Sequence, residues 1–140
     1  MKKFPFLLLD AGPIIKLVEL GIWDEFIKAC DISILDIVAN QAERKIEELL
    51  GVCIDLQSYD KRDLVKIVDL ELAVAKTFYD KFDPQYKDII HPGEKETLAF
   101  LCNSSESWLV CSADGAIFKV LGLLGKGNQG ISLQEILQKI

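Results

Sequence analysis

Apolar positions follow two rhythms along this chain. Phe6, Leu7, Leu8 and Leu9 form an unbroken run closed by Asp10, the pattern of a parallel strand covered on both faces. Gly12 allows a tight turn after it, and Pro13 suits the first position of a helix. Helical spacing then takes over. Ile14, Leu17 and Val18 mark a helix over 14–20 that Gly21 stops, and Trp23, Phe26 and Ile27 mark another over 23–29. A short β-like run at 32–35 predicts the second strand. Residues 38–50 predict a helix with Ala42, Ile46, Leu49 and Leu50 inward, ended by Gly51.

Farther on, 53–56 reads as a short third strand and 61–83 as one long or broken helical region, with Leu64, Ile67, Val68 and Leu72 at helical spacing. Asp83-Pro84 ends it. A helix is predicted from 92 to 103, a strand over 108–111 and a helix over 115–124. Four glycines from 122 to 130 mark a connection. Ser132-Leu133-Gln134-Glu135 matches a capping box that opens a last helix. Strands alternating with helices predict a single α/β domain, a parallel central sheet with helices on both faces.

Bulk properties narrow the picture. The 140 residues suffice for one domain with a real core. Half are hydrophobic and 27% charged, a globular balance. The net charge of -6, from 16 basic and 22 acidic residues, opposes tight nonspecific binding to phosphate backbones. It leaves room for an enzyme that grips nucleic acid through bound cations. Four cysteines without a CxxC pair, and the single His91, supply no zinc framework. Buried free thiols in a reducing compartment are expected. The apolar run after Lys2-Lys3 is too short for a signal peptide, and no stretch approaches the roughly 20 apolar residues of a membrane span. A cytoplasmic protein without membrane contact is expected.

Three acids stand in positions that suit chemistry. Asp10 and Asp114 each follow an apolar strand, and ligands of open α/β sheets gather at strand carboxyl ends. Glu94 lies in the first turn of an otherwise apolar helix, with Leu98 and Leu101 four and seven residues on. Each also has an ordinary structural explanation. Asp10 and Asp114 suit helix N-caps, and Glu94 suits the positive end of a helix dipole. Their joint occurrence is harder to explain that way.

The segment Leu7-Leu8-Leu9-Asp10-Ala11-Gly12-Pro13-Ile14-Ile15-Lys16-Leu17 resembles the opening of PIN domains, the PilT N-terminal nuclease family. Glu19-Leu20-Gly21-Ile22-Trp23-Asp24 is most similar to small stand-alone prokaryotic members related to VapC-like toxins. Pro92-Gly93-Glu94-Lys95-Glu96-Thr97-Leu98-Ala99 resembles the family's central helix. Val110-Cys111-Ser112-Ala113-Asp114 resembles its third acidic motif. Each motif is short; their order and spacing over nearly the whole chain carry more weight. The resemblance implies a divalent-metal-dependent endoribonuclease, with Asp10, Glu94 and Asp114 holding Mg²⁺ or Mn²⁺ and serving as the catalytic residues. It also implies an RNA substrate, an antitoxin partner and a homodimer. Hard divalent ions prefer oxygen ligands, and a bound ion makes hydroxide from water near neutral pH.

The chain departs from the family pattern in three places. Gln41 stands where many members carry a further acid, with Glu43 two residues later; Ala113, Gly115 and Ala116 surround Asp114; Lys119 replaces a common arginine. These departures keep a second reading open, a catalytically degenerate PIN-like module that binds protein or RNA. Gln41, Glu43, Ser112 and Lys16 are supporting candidates. Ser112 would orient a phosphate or metal-bound water and Lys16 would meet the RNA backbone, although a solvated helix position also explains Lys16. His91, ahead of Pro92, has no partner motif and is assigned no chemistry. A phosphatase with a strand-end nucleophile would place a second Asp where Gly12 stands, and a receiver domain would need another acidic pair near the first strand.

Overall fold

The computed structural model describes residues 4–69, 97, 100, 108–112, 121 and 129–140, with side chains from residue 7 onward. Five parallel strands form one sheet in the order β3-β2-β1-β4-β5. They are β1 (Phe4–Leu9), β2 (Cys30–Leu35), β3 (Lys66–Val68), β4 (Leu109–Cys111) and β5 (Gly130–Ile131). The described helices with full bounds are α1 (Ala11–Glu19), α2 (Trp23–Ala29), α3 (Asp36–Leu50), α4 (Leu56–Lys61) and α5 (Leu133–Lys139). The architecture is three-layer α/β/α, as the alternation of strand and helix patterns implies.

The centre of the sheet is its driest part. Leu7, Leu8 and Leu9 on β1 have no exposed surface. Consecutive strand residues point to opposite faces, so both faces of β1 are covered. Ile32, Ile34 and Leu35 of β2 and Val110 and Cys111 of β4 extend this core sideways. α1 contributes Ile14 and Leu17, α2 contributes Trp23, Phe26 and Ile27, and α3 contributes Val38, Ala39, Ala42 and Ile46. α1 and α3 pack on each other over the β1–β2–β3 half. The chain steps outward from β1 to β2 and β3, then returns to β1's other side for β4 and β5. Right-handed crossovers that leave β1 in opposite directions cover opposite faces.

Several junctions are tighter than the apolar pattern implies. Asp10 alone joins β1 to α1, which begins at Ala11. Pro13 is therefore the third helical residue, where its missing N–H is still one of the orphan donors of the first turn. Gly12 forms no positive-φ turn; Gly21 and Gly51 do, at φ 72° and 69°. Both end helices, Gly51 in the left-handed conformation with its N–H donating to Glu47 O at 3.1 Å. β2 begins at Cys30 and passes into α3 at Asp36, each without a loop.

Four expectations are corrected. Residues 53–56 are not a strand. Asp55 caps α4 there, its Oδ1 accepting the Gln57 N–H at 3.1 Å. The expected helix over 61–83 is interrupted at once, because α4 ends at Lys61, Asp63 adopts φ 60° and β3 follows. Ile67 and Val68 are β-branched and fit a pleated edge, so their helical spacing with Leu64 was coincidental. Leu49 is 67% exposed because it lies one step off the Ala42–Ile46–Leu50 line. β5 occupies the end of the glycine-rich connection, paired with β4 through Val110↔Gly130 and Cys111↔Ile131.

Ser132 caps the last helix as expected, its Oγ accepting the Glu135 N–H at 3.1 Å. Trp108 precedes its strand and is half-buried, edge-on to Phe100 at 5.5 Å. Cys30 and Cys111 are buried and Cys53 is exposed, none of the three in a disulfide. Among the described residues, no helix is long and apolar enough to cross a membrane.

Candidate functional site

The strand order creates one special position. β1 and β4 are hydrogen-bonded neighbours at which the strand order reverses, and in open α/β sheets ligands gather beyond the carboxyl ends of strands at such a switch point. The Leu9↔Cys111 pair is the last step of the ladder, and Asp10 N–H donates to Cys111 O at 3.0 Å just past it. Asp10 and Ser112 thus emerge side by side from adjacent strand ends. They are 102 residues apart in sequence.

Their side chains meet. Ser112 Oγ donates to Asp10 Oδ2 at 2.9 Å, and the residues are only 4% and 8% exposed. A hydroxyl donated to a carboxylate is a charge-assisted bond, stronger than a neutral pair. It offsets part of the cost of withdrawing a carboxylate from water. Asp10 also occupies the N-cap position of α1, with φ -83° and ψ 171°, yet its side chain makes no capping hydrogen bond. Helix capping, the ordinary explanation for an acid here, does not account for its carboxylate.

Asp10 also acts on the strand beside it. The Cys111 thiol is pushed from its ordinary 9.0 up to about 12, first by burial, then by the negative charge of Asp10 and by Cys30. Burial and the neighbouring negative charge both favour the protonated thiol, and Cys111 is fully buried, the setting of a packing residue. Among the described residues, Asp10 and Ser112 are the buried polar side chains at this strand end.

The other supporting candidates take different places. Glu43, on the third turn of α3, accepts the Leu56 N–H at 3.1 Å through Oε2, satisfying an orphan donor at the start of α4. That bond ties the first residue of α4 to α3. Lys16 is exposed and pairs with Glu19 at 3.7 Å, as a solvated helix residue would. Gln41 is half-buried on α3. Glu94, Asp114, His91 and Lys119 lie outside the described residues. Thr97, from the segment that contains Glu94, is helical and 1% exposed.

One acid at this edge escaped the sequence reading. The Leu8↔Ser33 register, extended by two residues, brings Asp10 level with Leu35, and Asp36 follows directly in the first turn of α3. The signal was present, because Ile32 to Leu35 is an apolar strand that ends in an acid just as β1 does. A helix-dipole role explains an acid at that position on its own.

The donor set can be tested against a divalent ion. A carboxylate and a hydroxyl are hard oxygen donors of the kind Mg²⁺ and Mn²⁺ accept, and Mg²⁺ commonly uses only one or two protein carboxylates. Among the described residues, no group of three His, Cys, Asp or Glu side chains is gathered to hold a metal. Asp10 and Ser112 fit one corner of an oxygen-ligand site. Compared with known proteins, the chain matches no family model and no curated sequence.

Proposed function

We propose that the protein is a divalent-metal-dependent endoribonuclease of the PIN type, working at the carboxyl ends of β1 and β4. The observation that carries the proposal is the Asp10 carboxylate, which is buried at the switch point, held by Ser112 and not used to cap its own helix. Such a group suits a ligand at that edge better than a turn.

Asp10 would hold the ion, together with Glu94 and Asp114 from the segments that resemble the family's other acidic motifs. The bound ion would supply a hydroxide near neutral pH and offset charge on the phosphate oxygens. The chain's own residues would do the rest. Ser112 would fix the rotamer of Asp10 so that its carboxylate faces this edge. The α1 N-terminus, directly after Asp10, would favour negative charge nearby. With a net charge of -6, the protein would grip RNA through the ion more than through basic side chains. An antitoxin that covers this edge, and a second copy of the chain, are the partners the reading suggests.

A specific observation favours a second reading. Gln41 brings no charge and Glu43 is bonded to Leu56 N, so neither position supplies the further acid of the family pattern; the acid α3 brings to this edge is Asp36, in its first turn. On that reading the scaffold binds RNA or protein without cleaving. Incubating single-stranded RNA with the protein and Mn²⁺ separates the two readings. The nuclease cuts it, chelation stops the cutting, and the degenerate module leaves it intact.

A further inference from the structure

We draw no further inference here: the strongest candidate, the exposed apolar side chains Leu20, Leu49 and Val52 at and just beyond the C-terminal ends of α1 and α3, carries nothing because nothing in the structure shows what covers them.

Discussion

Asp10 and Ser112 carry the functional argument, and both can be tested singly. Ser112→Ala removes a hydroxyl donated to a buried carboxylate and should destabilise the fold by about 1–3 kcal/mol. If the pair also positions Asp10 for an ion, RNA cleavage should fall about 10- to 100-fold in the same variant, as it does when a ligand's supporting partner is lost. Equilibrium urea unfolding and a cleavage assay read the two effects separately; unchanged stability would mean the 2.9 Å bond contributes nothing. The environment of Cys111 gives a pH prediction. Its thiol is raised from 9.0 to about 12 in the folded state, so folding favours the protonated form. That contribution is complete below pH 9, and stability should decline as pH rises from 9 toward 12, where the unfolded chain releases the proton first. Urea midpoints measured across that range check the sign. At neutral pH an alkylating reagent should label exposed Cys53 and leave Cys30 and Cys111 unlabelled until unfolding, as mapped by mass spectrometry.

At the scale of elements, the docking of α4 is open to test. Glu43→Ala should remove the acceptor of the Leu56 N–H and cost about 1–2 kcal/mol. It should leave RNA cleavage unchanged, since its oxygen serves α4. A large loss of cleavage without a loss of stability would instead return Glu43 to the metal site. The same region shows where the sequence was legible and where it was not. β1 could be read because Leu7 to Leu9 are buried on both faces and Asp10 ends them abruptly. α2 and the capped start of α5 were equally plain, each having a regular apolar stripe or a capping residue at the right spacing. β3 could not be read, because Leu64, Ile67 and Val68 satisfy helical spacing, and only the pairing of Lys66, Ile67 and Val68 with Ser33, Ile34 and Leu35 makes a strand there. β5 has two residues, and its pairing with β4 is a tertiary fact that no local pattern encodes. The Asp10–Ser112 contact was half legible: strand-end position suggested both residues, but only the β1–β4 register brings them together. Asp36 was not legible as a site residue, because an acid in the first turn of a helix is already explained by the helix dipole.

For the whole molecule, sheet order matters more than any one element. A β3-β2-β1-β4-β5 sheet puts its switch point beside β1, where Leu7, Leu8 and Leu9 are fully buried, so the proposed site would stand on a well-packed strand. If an ion binds the folded state at that switch point, Mn²⁺ at 100 times its Kd adds about 2.7 kcal/mol of stability. Thermal unfolding with and without Mn²⁺ should then differ by several degrees. Asp10→Asn keeps the shape of the side chain and removes its charge, so it should abolish the shift while leaving the ion-free midpoint nearly unchanged. The most direct measurement is cleavage of single-stranded RNA in Mn²⁺ by the parent and by Asp10→Asn, with both proteins shown to be folded. The parent should cut the RNA, chelation should stop it, and the variant should be slower by about 100-fold or more, at least as much as losing a mere supporting partner. A variant that cuts like the parent would contradict the assignment of Asp10, and a parent that leaves the RNA intact with Mn²⁺ present would contradict the nuclease itself.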